Sequence, residues 1–333
     1  MNNEHPLISV VTPVYNAEAL VMNAYECLQR QTYPFWEWVV VDDGSTDDSA
    51  QRLQQLAQAD NRVRYIAQPN SGSAKQPRDH AVCEARGEWI LFLDIDDQYV
   101  EDEYIEQMWQ RHCETDAQIV YPLMSFTETD GRRTLTLPTP DIDTTRVYAG
   151  RDLVAATLPD WHIGCNGGLY HRSVWVNLSW PNPRHPIYTN SDEVDERLFL
   201  LEAQRVAFAH VNYLYIQHPQ SITHHLTLKR FHQLFTDVQL RQIIVEAFGP
   251  DSDEYHRMQQ KIFNTFRSLL AFYLQHRHAF AQQHDSIDQA FRMHFRLLER
   301  QHFSLWNRLR FLDFRSYDAV YAIFKLKYKD INN

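Results

Sequence analysis

Glycine is scarce in this chain, with nine residues in 333. Phosphate cradles built from repeated glycines are therefore not expected, and neither a G-x-G-x-x-G fingerprint nor a Walker A loop occurs. Cysteine is scarcer still: Cys27, Cys83, Cys113 and Cys165 stand far apart, with no C-x-x-C pair. That spacing indicates neither a zinc site nor a disulfide framework, and free thiols in a reducing cytosol are expected. Long apolar runs are missing too. No stretch of about 18 apolar residues is present to span a bilayer. Met1-Asn2-Asn3-Glu4-His5-Pro6 has neither the basic nor the apolar region of a secretory signal. Basic charge is in deficit, 32 Lys and Arg against 43 Asp and Glu, and the net −11 disfavours nonspecific contact with nucleic acid. Together these absences predict a soluble, cytoplasmic protein with no nucleic-acid partner.

Core material is ample: apolar residues make up 44% of the chain and aromatics 13%. The stretch that draws attention is Trp89-Ile90-Leu91-Phe92-Leu93, which runs straight into Asp94-Ile95-Asp96-Asp97. A short, bounded apolar run reads as a strand buried on both faces. Its carboxyl end is where ligands bind in an open α/β sheet. Like charges crowded there repel one another unless a cation sits among them. Hard cations such as Mg²⁺ or Mn²⁺ take carboxylate oxygens and leave positions for substrate phosphates. A solvated acidic turn is the competing reading for an isolated Asp-x-Asp.

The preceding residues repeat the pattern. Leu7 to Pro13 reads as a buried strand, Glu18 to Gln31 as a helix and Trp36 to Val41 as a second strand ending in Asp42-Asp43-Gly44-Ser45-Thr46-Asp47. A helix to about Ala59, a strand from Val63 to Ala67, the turn Pro69-Asn70-Ser71-Gly72 and a helix through Ala85 follow. Alternation at this spacing predicts parallel βαβ units with right-handed crossovers. Asp42-Asp43 and Asp94-Ile95-Asp96 then converge on one sheet edge, which an incidental acidic turn does not explain.

The series Val10-Val11-Thr12-Pro13-Val14-Tyr15-Asn16, Val40-Val41-Asp42-Asp43-Gly44-Ser45-Thr46-Asp47, Asn70-Ser71-Gly72, Arg78, Gly87 and Leu93-Asp94-Ile95-Asp96-Asp97 resembles family 2 glycosyltransferases of the GT-A fold, over roughly residues 6 to 110. The resemblance implies a Rossmann-like α/β fold with a mixed, mostly parallel sheet flanked by helices. It implies inverting transfer of a hexose or N-acetylhexosamine from a nucleotide-sugar, with UDP the expected nucleotide. By the same likeness, Pro13, Tyr15 and Asn16 would line the nucleoside pocket. Asp42, Asp43 and Ser45 would bond base and ribose, and Arg78 would pair with the diphosphate or brace the acids. Asp94, with Ile95 beside it, would contact the ribose. Asp96 would hold Mn²⁺ or Mg²⁺ with Asp97 as helper. Gln76-Pro77-Arg78-Asp79 departs from the family's usual Ala-Arg-Asn.

Residues 101 to 113 read as a helix and Ala117 to Pro122 as a strand, followed by a turn-rich hairpin region to Tyr148. The resemblance makes Trp161, His162, Asn166, Gly167 and Gly168 a wall for the transferred sugar and the acceptor. It makes Asp192-Glu193, ahead of a helix over Val194 to Glu202, the source of the general base, with the order of the pair reversed from the family's Glu-Asp. Without it, two acids at a helix start are dipole complements. Val206 to His210 reads as a strand, and Tyr213-Leu214-Tyr215-Ile216-Gln217 leads to Ser221-Ile222-Thr223-His224, where His224 would complete the metal shell.

From Thr227 onward the pattern is helical, with helices expected near 227–248, 254–283 and 287–300. Residues 292–329 carry nine Lys and Arg against three acids, interleaved with aromatics. Such a segment either packs its aromatics inward or rests on an anionic membrane surface. The expected organisation is a catalytic domain over 1–225 and a helical region over 226–333. Within the first, 1–115 would bind the nucleotide-sugar and 116–225 would serve the acceptor and base. The acceptor class implied is a glycan or a polyprenyl-linked glycan for the cell surface, reached from the cytoplasm or the inner membrane face. A nucleotide-sugar-binding or scaffold protein that keeps the fold without turnover is the alternative.

Overall fold

Four strands rich in β-branched and aromatic residues form one half of a sheet: β1 (Ile8–Val14), β2 (Trp36–Asp42), β3 (Val63–Ala67) and β4 (Trp89–Phe92). They are joined through α1 (Val21–Gln29), α2 (Ser49–Ala59) and α3 (Lys75–Glu84), and all three ladders among them are parallel. The computed structural model describes residues 5–128, 130–158, 163, 166–175, 191–217, 226–303 and 317–327. β1, β2 and β4 read as near-continuous apolar runs because both of their faces are covered, and every residue of β2 is buried.

The rest of the sheet comes from β5 (Gln98–Tyr99), β6 (Ile119–Glu128), β7 (Arg133–Leu137), β8 (Leu169–His171) and β9 (Val206–Gln217), with α4 (Tyr104–Thr115), α5 (Gly150–Val154) and α6 (Ser191–Glu202) between them. The order is β3-β2-β1-β4-β8-β6-β9-β5, with β7 on β6. In this second half the ladders are antiparallel except β6 with β9. β6 runs past Pro122, where the strand was expected to stop, because the register shifts between Tyr121 and Leu123. A proline without an N–H is tolerated at such a bulge. The order 3-2-1-4 places a topological switch between β1 and β4, where an open α/β sheet leaves a crevice outside its strand ends.

By contact density the chain forms two compact units: Met1–Leu153, His162–Ile187 and Asp195–Pro219, and then Val154–Trp161, Tyr188–Val194 and Gln220–Asn333. The first holds the sheet. The second is built on α7 (His232–Phe248), α8 (Asp253–Gln275), α9 (His284–Phe295) and α10 (Tyr317–Lys327) around buried Phe231, Phe266, Phe291 and Phe324. Ser252 starts α8 by accepting the Tyr255 N–H at 3.1 Å, with Asp253 and Glu254 in the first turn. The helix expected to reach 283 ends at Gln275, and Phe280 leaves helical geometry to pack against Phe231 at 5.3 Å. Among the described residues, no helix is long and apolar enough to cross a membrane.

Buried polar pairs tie the parallel strands together. The Ser9 hydroxyl donates to Glu37 at 2.7 Å, and Gly87 N donates to that hydroxyl at 2.9 Å. Thr12 Oγ1 donates to the Leu93 carbonyl at 2.7 Å and accepts from Trp38 Nε1 at 2.8 Å, so one hydroxyl links β1, β2 and the end of β4. Thr12→Val keeps the shape but leaves that indole N–H and that carbonyl without their partner. It is expected to cost about 2–4 kcal/mol of folding free energy, read from urea titration at unchanged m-value.

Candidate active site

The carboxyl ends of β1, β2 and β4 bring the acidic clusters together, since Val14 pairs with Asp42 and Val11 with Phe92 in adjacent ladders. The loop after β1 and the turn after β2 are laced to each other. Asn16 N donates to Ser45 Oγ at 2.9 Å, and the Asn16 side-chain oxygen accepts from Thr46 N at 2.8 Å. Asn16 takes a left-handed φ of 48°, which its short polar side chain tolerates. Pro13 is half-buried beside this crossing, and Tyr15 points its ring outward with 52% of its surface exposed. Tyr15 is thus a flat aromatic face at the strand ends.

Asp42 and Asp43 are buried. Asp42 Oδ1 accepts from Ser45 N at 3.1 Å, closing the turn. Asp43 accepts from Gln68 Nε2 at 2.6 Å, from Ser71 Oγ at 2.9 Å and from Ser71 N at 3.0 Å, so it holds the 70–72 loop onto β2. Gly44 follows these two acids with φ +73°, and a β-carbon there would sit 2.8 Å from the Asn70 backbone nitrogen. Only glycine allows the two loops to close this far.

Beyond β4, Asp94, Ile95 and Asp96 are half-buried and Asp97 is buried. Arg78 on α3 donates to Asp94 Oδ1 at 3.1 Å and lies over the Phe92 ring at 5.3 Å. Asn166 Nδ2 lies 3.5 Å from Asp94 Oδ2. Both Asp97 oxygens meet donors of β9: Tyr213 OH at 2.7 Å and Ile216 N at 3.0 Å. Burial, with Asp94 and Asp96 close by, holds the Asp97 carboxyl well above the usual carboxylate range. Among the described residues, no group of three or more His, Cys, Asp and Glu side chains could hold an ion alone. The donor set still fits a hard cation shared with a diphosphate. Asp94 and Asp96 supply carboxylate oxygens at a partly open strand end, and such ions commonly take their remaining ligands from phosphates and water.

A further buried cluster was not anticipated. Lys75 Nζ lies 2.7 Å from Asp195 Oδ2 and 3.0 Å from Asp79 Oδ2, and all three residues are buried. Burial raises the Asp195 carboxyl to about 6, with Lys75 and Arg78 pulling the other way. Its neighbour Glu196 accepts hydrogen bonds from Tyr170 at 3.0 Å and from Tyr121, and burial lifts its carboxyl to about 8. The signal available in the sequence was the spacing Asp192, Asp195, which puts a second acid one turn further along α6.

Asp192 and Glu193 begin α6 and belong to the second unit. There Glu193 is buried, 2.9 Å from Lys261 Nζ, and accepts from Gln233 Nε2 at 2.8 Å. Gly167 and Gly168 stand just ahead of β8, and the Gly167 carbonyl accepts from Tyr104 OH at 2.7 Å. Trp161, His162 and His224 lie outside the described residues.

Residues 9–169 match the family model described as Glycosyl transferase family 2. Glycosyltransferase GlyG of Streptococcus pneumoniae is 31% identical over 222 residues, covering 65% of this chain and 72% of GlyG. Poly(ribitol-phosphate) beta-glucosyltransferase of Bacillus spizizenii is 43% identical over 93 residues, covering 27% of this chain and 15% of that enzyme. The crystal structure of S. aureus TarS 1–349 in complex with UDP-GlcNAc superimposes with a TM-score of 0.65 at 18% identity, over 96% of this chain and 91% of that one. The last likeness is one of fold, and it bears out the α/β architecture with a helical C-terminal part. For the site itself, Gly44→Ala is expected to cost about 1–3 kcal/mol from the left-handed backbone and the contact with Asn70, visible as a lowered melting temperature.

Proposed function

Because this chain belongs to glycosyltransferase family 2, we propose that it moves a sugar from a UDP-linked donor to a hydroxyl of a surface glycan or polyprenyl-linked glycan, inverting the anomeric carbon. The observation that carries this reading is the meeting of Asp42-Asp43 with Asp94 and Asp96 at the switch between β1 and β4. The choice of UDP draws on the UDP-GlcNAc bound by TarS, and the surface-polymer acceptor on the poly(ribitol-phosphate) enzyme.

In this reading Tyr15 offers its exposed ring to the base, and the Asp42–Ser45 turn faces the nucleoside. Arg78 fixes Asp94 toward the ribose, and Asp96 with Asp94 would hold Mn²⁺ or Mg²⁺. A divalent ion bound there offsets the negative charge that the diphosphate gains as it leaves. Asp97, with both oxygens on β9, braces the turn. The acceptor side remains with Asn166, Gly167 and Gly168, together with Trp161 and His162.

One carboxylate must take the acceptor's proton as its oxygen attacks. Glu193 is engaged by Lys261 and Gln233, which suits a brace. Asp195 is engaged too, by Lys75 at 2.7 Å, but it lies in the same unit as the donor acids. Burial raises its carboxyl to about 6 against the pull of Lys75 and Arg78, which suits a proton acceptor at neutral pH. It is the base we assign, ahead of Asp192.

Two outcomes follow. Asp96→Ala is expected to lower turnover of a UDP-sugar at least about 100-fold and to abolish the extra thermal stabilisation that Mn²⁺ adds to UDP. Retention of full turnover by both Asp94→Ala and Asp96→Ala would sink the reading. A base must be unprotonated to work, so kcat should rise with pH through about 6. Asp195→Asn should lose about 100- to 10,000-fold and, with it, that acid limb. A limb that survives in Asp195→Asn and disappears in Asp192→Asn would transfer the role to Asp192.

A further inference from the structure

The donor acids sit on a turn, and something must hold a turn of like charges in one shape. Asp97 N bonds back to the Asp94 carbonyl at 3.1 Å, which closes the turn but does not anchor it. The anchor comes from β9. Tyr213 is buried, its hydroxyl donates to Asp97 Oδ2 at 2.7 Å, and the same oxygen accepts the Asp94 N–H at 3.2 Å. One phenol oxygen therefore grips both ends of Asp94-Ile95-Asp96-Asp97, using its single proton and one lone pair.

The ring of Tyr213 is fixed in turn. Tyr213 pairs with Tyr99 across β5 and β9, with ring centroids 6.0 Å apart, and Tyr99 stacks on Tyr104 at 4.1 Å. Tyr104 OH holds the Gly167 carbonyl, and a β-carbon at position 167 would lie 2.2 Å from Tyr213 Cδ2. Gly167, at φ +75°, is thus shaped to the tyrosine ring as much as to any ligand. Tyr99, Tyr104 and Tyr213 are all buried without a gap.

We propose that Tyr213 is the positioning residue of the donor site. Its hydroxyl holds Asp94 and Asp96 in the geometry that a cation-bound nucleoside diphosphate requires, and Gly167 keeps its ring in place. The affinity part rests on the donor reading above, while the positioning part does not.

Tyr213→Phe keeps the ring and removes both hydrogen bonds. In the full chain, amide hydrogen exchange over residues 94–97 is expected to accelerate about tenfold. The Kd for UDP with Mn²⁺ should rise about tenfold, and the Kd without metal should change less than about threefold. Gly167→Ala, which drives a methyl group into the ring, should copy this pattern. Asp97→Ala should copy it too and add little to Tyr213→Phe, because both remove the Asp97–Tyr213 hydrogen bond. Unchanged exchange at 94–97 together with unchanged Mn²⁺-dependent affinity, whatever the melting temperature does, overturns the proposal. If the native protein binds no UDP at all, the donor reading fails and the exchange rates alone decide the positioning role.

Discussion

Crowded negative charge at one end of a sheet is the constraint on which the rest of the first unit depends. Asp42, Asp43, Asp94, Asp96 and Asp97 all fall at the ends of β2 and β4. Burying a carboxylate without donors costs several kcal/mol, so each buried acid there must be met. Asp43 is met by Gln68 and Ser71, and Asp97 by Tyr213 and Ile216. Asp94 is met by Arg78. These donors come from the loop after β3, from α3 and from β9, so satisfying the acids also fixes where those elements meet the sheet. The half-buried pair Asp94 and Asp96 is left partly open to solvent, as the cation proposed for this site would require.

This explains which features were legible in the sequence. Strands β1 to β4 and helices α1 to α3 fall within a few residues of their expected bounds, because buried parallel strands and amphipathic helices write their period into the chain. The acids at strand ends were legible for the same reason: once the strands are placed, their ends are placed. Gln98–Tyr99 does not read as a strand in the sequence, being two residues long, too short to show a period. It pairs because the longer strand β9 offers it an edge.

The braces were illegible for a different reason. Tyr213 is 119 positions from Asp94, and Lys75 is 120 from Asp195. Nothing local marks a tyrosine as the anchor of a distant turn or a lysine as the partner of a distant acid. Tyr213 could be singled out only by motif, and Lys75 carried no motif at all. Sequence periodicity reports which face of an element is buried. It does not report which buried polar group that face will meet, and the sites of this protein are made of such meetings.

Helix α6 shows how far those meetings decide chemistry. Asp195 and Glu196 are adjacent, both buried, and differ in sequence terms by one methylene. Asp195 faces an ammonium group, which stabilises its charged form and offsets part of the cost of burial, leaving its carboxyl at about 6. Glu196 faces two tyrosine hydroxyls, and burial lifts its carboxyl to about 8, with the charge of Arg197 pulling only partly the other way. At neutral pH the first is mainly ionised and the second mainly protonated. Burial raises both carboxyls, and the charge of Lys75 holds that of Asp195 lower, which suits the proton-acceptor role proposed for it. The ammonium group of Lys75 favours the charged form of Asp195 inside the fold, and a proton acceptor held there needs that charge.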